Sequence, residues 1–380
     1  MIRVTTNNTL WQYQNNLNKS ANQLYSAMGK MMTGRNFDSY AANPAGATRA
    51  FKIYSSLNAT NAQAANNQTV INKFSTAYSS LDQVIDKVYD EMANAPTLSG
   101  LNDPNLSNLG SFAQILDEGA DAIVQMLNGK YSNDYLFNGT ETGEAPFEIV
   151  EDNAPGAVYG RVLTFRGWRV DVPDNNETYI DPKTGQPVTD ENGNELTNAD
   201  VYQKLQDMSD EALWVDIGMG FRVDENGDVV ENTAYNSALS GLDIMDFGLD
   251  EDGDPKNVVS IMLQISDIFE GYTMGEDGAA GSWGDAGDRE DSNRLVGKMQ
   301  DAHEQLVDKW SELSGKVTYL NSNQTRLKET FDNLDVERGS IEDIDTAEAI
   351  MQLVWAQTTY NAALQVGSNV IPQSLMDYLQ

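Results

Sequence analysis

The sequence predicts an α+β multidomain protein: an elongated α-helical bundle built from both chain ends, with an inserted β-rich domain between them. Three observations predict it. Apolar residues recur at heptad spacing in the opening third and again in the closing quarter. Residues 141–290 lose that period and show strand alternation and turn pairs instead. Charge divides the same way: this middle segment holds 34 acidic and eight basic side chains, a net of −26 out of the chain's −34.

The first helix is read from Leu10, Leu17, Leu24 and Met31, spaced by seven, with Tyr13, Ser20 and Ala27 at the complementary positions. It spans about Asn8 to Met32. An elbow follows, "MMTGRNFDSYAANPAGATRAF" (31–51), which carries Gly34, Arg35 and Arg49. Asn43 is placed to cap the next helix, with Pro44 in its first turn. That helix carries Leu57, Ala64, Ile71, Tyr78, Ile85 and Met92, with Phe74, Leu81 and Val88 three residues on, and ends near Pro96. A third runs from about Leu106 to Asn128, where Gly129 is a natural stop.

The closing helices answer these. Met299, Leu306, Leu313, Leu320, Leu327 and Leu334 form one row, and Val296, His303, Trp310, Val317, Gln324 and Phe331 the other, over about Asp291 to Leu334. Gly339 is then expected to break the chain. Asp345 with Glu348 has the spacing of a capping box, opening a last helix with Ile350, Met351, Val354, Trp355, Ala362 and Val366, to about Asn369. In the middle segment, "GRVLTFRGWRVDV" alternates as a strand does, Asn192-Gly193 and Asn226-Gly227 signal hairpin turns, and short helices are expected near 199–209 and 257–270. "GEDGAAGSWGDAGD" reads as a loop. The resulting partition is terminal helices (1–42 and 335–380), a long-helix rod (43–140 and 291–334) and an acidic β-rich insertion (141–290), arranged as a rod with a knob.

Composition excludes much chemistry. The chain has no cysteine and one histidine, His303, which argues against thiolate catalysis, disulfides, cysteine-ligated metal and imidazole triads. His303 falls on an apolar seam and reads as a core or interface residue. "DENGD" (224–228) and "DEDGD" (250–254) imitate calcium loops, but where the EF-hand needs Gly and Glu they place Val229 and Tyr235, and Pro255 and Ile261. Turns with solvated acids are the better reading. No Gly-rich phosphate loop is present, and no cofactor or metal is expected. An acidic exterior disfavours nucleic acid and anionic membrane as partners, and no apolar run is long enough to insert in a membrane. The start has no apolar signal-peptide core.

The two ends carry opposite charge: +5 over residues 1–52 and −7 over 332–380. This suggests that they meet. Leu10, Leu17 and Leu24, like Ile344, Ile350, Val354 and Trp355, need apolar partners, and two helices alone bury little. Copies of the same helices in neighbouring subunits are the favoured partners; a bundle closed within one chain is the alternative. The candidate subunit interface is therefore Leu10, Tyr13, Leu17, Leu24, Met31, Ile344, Ile350, Met351, Val354, Trp355, Ala362 and Val366.

"MTGRNFDSYAANPAGATRAFKI" resembles the flagellin superfamily segment in which a Ser/Thr-Gly-Lys/Arg turn leads through an Asx-rich loop into a helix starting Pro-x-x-x-x-Arg. The opening "IRVTTNNTL…NLNKSANQLY" and the close "IEDIDTAEAIMQLVWAQTTYNAALQVGSNVIPQSLMDYL" resemble the superfamily's two ends. Within it, "NDYLFNGTETGEAPF" (133–147) and "IPQSLMDYL" are similar to the hook–filament junction branch rather than to filament flagellin. Ser39-Tyr40-Ala41-Ala42-Asn43 stands where an Asp-rich loop is usual. The resemblance covers roughly 1–147 and 290–380. It implies a structural, non-enzymatic protein of the bacterial flagellum, secreted through the type III export channel and extracellular. It further implies terminal helices disordered in the free monomer and ordered by neighbours in a ring. Implied partners are other subunits, the other hook-associated junction protein, flagellin, and a cytoplasmic export chaperone that would hold Ile350, Met351, Val354 and Trp355. The elbow would offset the terminal helix pair, as an inner tube, from the long helices. A filament flagellin and, in another class, an acid-only hydrolase in the insertion are the competing readings.

Overall fold

A computed structural model describes residues 6–37, 39, 41–93, 108–141, 143–230, 232–274 and 281–370. Three helices come first: α1 (Thr6–Thr33), α2 (Pro44–Ala93) and α3 (Leu109–Leu127). Strands β1 (Lys130–Tyr131), β2 (Asp134–Tyr135), β3 (Phe147–Glu151), β4 (Arg161–Phe165) and β5 (Trp168–Arg169) follow. Helix α4 (Asn198–Ser209), strands β6 (Trp214–Val215) and β7 (Tyr235–Asn236), and helices α5 (Gly241–Met245) and α6 (Val258–Glu270) complete the middle. Helices α7 (Arg289–Glu342) and α8 (Thr346–Val370) close the chain. The predicted end near Pro96, the start at Leu106 and the "IPQSLMDYL" segment lie outside the described residues.

The chain divides into two compact units, residues 1–62 with 326–380 and residues 63–325. The division falls inside α2 and α7, so each long helix contributes one end to each unit.

In the first unit α1 and α8 run antiparallel. Arg35 bridges Asp343, Ile344 N donates to Gly34 O at 3.0 Å, and Asn36 N donates to Glu342 O at 2.6 Å. The heptad positions predicted for α1 are those that close: Ser20 and Ala27 are buried, and Leu10, Tyr13, Leu17 and Leu24 are half-buried. Ala50, Ile53 and Leu57 of α2 and Leu327 of α7 are buried in the same unit.

In the second unit α2 and α7 are also antiparallel. Asn67 Nδ2 donates to Leu320 O at 3.0 Å and to Gln324 Oε1 at 2.7 Å, and Asn323 Nδ2 returns a bond to Asn67 Oδ1 at 3.0 Å. Further along, Tyr78 stacks on Trp310 with ring centres 4.8 Å apart. The predicted row Met299, Leu306, Leu313 and Leu320 is buried. Helix α6 packs on α3, and Ser266 Oγ donates to Ala113 O at 3.0 Å. One hydrophobic core joins α2, α3, α6 and α7 to Phe147, Leu163 and Phe165 of the sheet.

The strands form three small antiparallel sheets, β1-β2, β3-β4-β5 and β6-β7. In the largest, Phe147 faces Phe165 and Glu151 faces Arg161. "GRVLTFRGWRVDV" is therefore not one strand. It folds back at Arg166-Gly167, whose φ angles of 48° and 82° make the two-residue turn that fits strand twist. The Asn-Gly turns do form, with Gly193 and Gly227 at positive φ between the bridges Thr189–Glu195 and Val223–Val229.

Two other expectations are corrected. Gly339 does not break the chain: helical bonding runs through it, with Asp343 N on Gly339 O at 2.8 Å, and α7 reaches Glu342. A glycine costs an exposed helix only about 1 kcal/mol relative to alanine, which a helix of 54 residues absorbs. Asp345 caps α8 by accepting from Ala347 N at 2.8 Å, but Glu348 does not complete the box; it accepts from Gln352 instead.

Candidate functional site

The elbow is assembled from local hydrogen bonds. Gly34 sits at φ 68°, closing α1 with its N–H on Lys30 O at 2.9 Å. Such a left-handed cap suits glycine, which has no Cβ to clash. Asn43 Oδ1 accepts from Gly46 N at 2.9 Å, which caps α2, and Pro44 occupies the first turn. Gly46 is closely held: a Cβ there would meet Asn43 Nδ2 at 2.6 Å and Phe37 at 3.0 Å. Arg35 and Arg49 are exposed.

Helix α8 presents two kinds of surface. Ala349 and Gly367 are buried, and Leu353, Ala356, Tyr360 and Ala363 are half-buried. Their spacings of four and three make them the seam toward α1. Most are small, so the backbones approach closely; a Cβ on Gly367 would fall 2.0 Å from the Tyr13 hydroxyl. The large apolar residues lie elsewhere. Ile350, Met351, Val354, Trp355, Ala362 and Val366 are exposed, Trp355 to 76 %, and Ile344 is half-buried. On α1, Met31 is exposed. A groove of about 630 Å³ runs between the two helices, lined by Ala27 and Lys30 on one side and Met351, Trp355 and Thr359 on the other. Among the described residues no ion pair joins α1 to α8, so side-chain fit, not paired charge, closes this seam.

Where α2 and α7 end in this unit, Tyr54 Oη donates to Glu342 Oε2 at 2.7 Å. That bond, with burial, raises the phenol's pKa. Arg338 pairs with Asp335 at 2.9 Å, which holds its proton more tightly.

The segment "NDYLFNGTETGEAPF" is structural in the second unit. Leu136, Phe137 and Phe147 are buried in the core. Asn138 Nδ2 donates to Glu144 O at 2.9 Å, and Arg166 donates to Asn138 Oδ1 at 2.7 Å and to Glu211 Oε1 at 2.6 Å. Glu211 also accepts from Thr140 N at 2.7 Å; burial opposes its ionisation, but Arg166 and Thr140 outweigh it and its pKa falls. Gly139 has φ 60° and lies so near Glu211 and Arg166 that no Cβ would fit.

The acids of "DEDGD" are not simply solvated, as the sequence suggested. Lys298 of α7 bonds Asp250 at 2.6 Å and Asp252 at 2.9 Å, and Arg294 bonds Asp254 at 2.8 Å. Asp250, Asp252 and Asp254 are the one group among the described residues spaced to hold a metal ion, and Lys298 and Arg294 already hold it. The sequence could not show this, because the cations lie 40 to 48 residues downstream of the acids they bond. In the exposed "DENGD" turn, Asp224 Oδ1 accepts from Asn226 N and Asp228 N, which lowers its pKa. His303 is half-buried, its ring 6.1 Å from that of Tyr89. No helix among the described residues is long and apolar enough to cross a membrane.

Long paired helices, the closed α1–α8 seam and the apolar face that α8 leaves exposed suit protein–protein contact. The chain belongs to the flagellin family: it matches the bacterial flagellin N-terminal helical region over residues 4–142 and the C-terminal helical region over 296–379, together more than half its length. Its role is therefore a structural one in the bacterial flagellum. No curated protein matches the chain in sequence. Among solved structures it is similar to a putative flagellar hook-associated protein from Vibrio parahaemolyticus (14% identity, 80% of this chain and 100% of that one, TM-score 0.49). It is also similar to FlgL from Bacillus cereus (14%, 76% and 99%, 0.40) and to flagellar hook associated protein-3 from Legionella pneumophila (11%, 76% and 98%, 0.42).

Proposed function

We propose that this chain is a hook–filament junction protein, of the hook-associated protein 3 kind, which joins hook to filament by packing its terminal helices against those of neighbouring subunits. The observation that carries this reading is the outward face of α8. Ile350, Met351, Val354 and Trp355 are exposed although α8 has already closed its inner seam on α1. Contiguous exposed apolar surface of this kind marks a protein contact. The interface presented to neighbours is Met31, Ile350, Met351, Val354, Trp355, Ala362 and Val366, backed by Leu10, Tyr13, Leu17, Leu24 and Ile344, which are half-buried within the chain, with the elbow (Gly34, Arg35, Asn43, Pro44, Arg49) setting the offset of the pair. The partners are further copies in a ring, the other hook-associated junction protein and flagellin. Before export, a cytoplasmic chaperone covers the same α8 stripe. The protein is exported and works outside the cell, and it performs no catalysis. The likeness of residues 133–147 and 371–379 to the junction branch favours this reading over a filament flagellin.

Val354→Asp tests it. A buried unpaired carboxylate disrupts an apolar interface, so cells with this variant retain hooks, lose filaments and shed flagellin into the medium. Thermal unfolding of the purified variant stays unchanged. Filaments of normal length, or a large drop in melting temperature, would overturn the reading. Cells lacking the chain that shed no flagellin would point to the filament subunit instead.

A further inference from the structure

We propose that a pocket in the second unit binds a neutral, sugar-sized polyol. It measures about 320 Å³ and is lined by residues of β5 and the segment after it, the bridge strand around Tyr179, and α6. That volume stands at the lower end of the range of about 300–1,000 Å³ typical of small-molecule sites.

Gln264 is the point of departure. Helix α6 is apolar and buried almost throughout, and its other buried polar groups have partners: Asn257 Oδ1 accepts from Ser260 N at 2.8 Å, and Ser266 bonds Ala113 O. Gln264 is 6% exposed, lines the pocket, and its amide bonds no described residue. An amide that lines a pocket can hydrogen-bond whatever fills it. The hydroxyl of Tyr159, half-buried on the same pocket, also bonds no described residue. An amide donor and acceptor beside a phenol match the vicinal hydroxyls of a sugar. Apolar walls from Val172, Pro173, Ile180 and Leu249 match its C–H faces.

Charge selects a neutral ligand. Arg169 is clamped between Asp152 at 2.7 Å and Asp171 at 2.8 Å, so it offers no free cation to an anion. Around Tyr159 the acids are equally committed: Asp254 and Asp291 both pair with Arg294. Burial and then these acids raise the phenol's pKa, which keeps it a protonated donor. No carboxylate is left over to hold an ammonium group.

The site is distinct from the terminal helices, so its test is independent of the assembly reading. The full chain is titrated with methyl α-glucoside, methyl β-galactoside and N-acetylglucosamine, with choline and citrate as cationic and anionic probes, by saturation-transfer NMR. At least one sugar is expected to bind saturably and neither charged probe to compete. Gln264→Leu and Tyr159→Phe each weaken binding by about tenfold, the loss expected for a hydrogen bond inside a pocket, while Gln203→Leu on the exposed face of α4 changes nothing. No binding of any sugar, binding in both variants as tight as in the unsubstituted chain, or preference for choline or citrate would overturn the proposal. Should Gln264→Leu fail to fold, Tyr159→Phe decides alone.

Discussion

The two units share the helices α2 and α7 yet bury different things. The twelve largest fully buried side chains, from Tyr179 and Phe74 to Leu136, all belong to the second unit. The first unit buries small residues, Ser20, Ala27, Ala50 and Ala349, with the aliphatic Ile53, Leu57 and Leu327 but no aromatic among its described residues, and leaves Trp11, Phe51, Met351 and Trp355 exposed. Area decides stability at roughly 25 cal/mol per Å² of apolar surface. The second unit therefore holds itself together, while the first keeps its largest apolar area for other molecules. The lesson is that residue size at the seam, rather than hydrophobicity of the helix, tells a self-sufficient region from one built for partners.

The sharpest way to break this comparison is to truncate one large aromatic in each unit. Phe165 is fully buried in the core, in edge contact with Phe147 at 5.0 Å between ring centres. Phe165→Ala should cost about 3–5 kcal/mol, read as a shift in the urea midpoint followed by circular dichroism. Trp355→Ala, at an exposed position, should change it by less than about 0.5 kcal/mol. Comparable losses at the two sites would show that the α8 face is packed within the chain.

Sequence patterning reveals some of this division and hides the rest, for physical reasons. Leu10, Leu17 and Leu24 mark the α1 seam because large residues announce a heptad. The matching seam on α8 was not legible, because Ala349, Ala356, Ala363 and Gly367 carry little hydrophobic signal and the eye follows Ile350, Val354 and Trp355 instead. A period-of-seven search that admits alanine and glycine would find it. The second unit's helices were legible from Met299 to Leu320. Its sheet is not legible at Arg166-Gly167, since alternation alone does not show where a strand reverses. The clamp of Lys298 and Arg294 on Asp250 and Asp254, and the pocket at Gln264, depend on tertiary contacts that no local window contains.

A smaller and pH-dependent effect separates the units again. Asp267 on α6 accepts from Gly160 N at 2.9 Å. Its pKa is nonetheless pushed up from 3.8 to about 6: burial dominates, Asp117 and Glu270 add to it, and the Gly160 bond and Arg161 oppose it. A folded pKa above the unfolded one means that the folded state binds the proton more tightly. This group's stabilisation is complete below about pH 3.8 and is lost as pH rises through about 6. Above that, the ionised carboxylate costs on the order of 1–3 kcal/mol. Asp267→Asn keeps an acceptor for Gly160 and removes the charge, so it should stabilise the second unit at pH 8 and not at pH 4. Hydrogen exchange in α6 and β4 should slow at pH 8, with α1 and α8 unaffected. Equal effects at the two pH values would remove burial of Asp267 as the cause.

The smallest effect is expected at the elbow, and it tests whether the first unit depends on one backbone conformation. Gly34 holds φ 68°, and a Cβ there would meet nothing within 4 Å. Gly34→Ala therefore adds no clash, only the penalty of a left-handed conformation for an L-residue, about 1 kcal/mol. Asparagine tolerates that region better than alanine, so Gly34→Asn should cost less. The bond of Gly34 N to Lys30 O closes α1, and that of Ile344 N to Gly34 O ties its end to the segment that leads into α8. A loss of 1 kcal/mol there opens the pair about fivefold more often. Limited proteolysis should show α1 and α8 cut about that much faster in Gly34→Ala, with the fragment from the second unit surviving unchanged. If alanine and asparagine behave alike, strain at Gly34 is not what sets the elbow. If the second unit is also cut faster, the two regions do not unfold separately and the contrast between them fails.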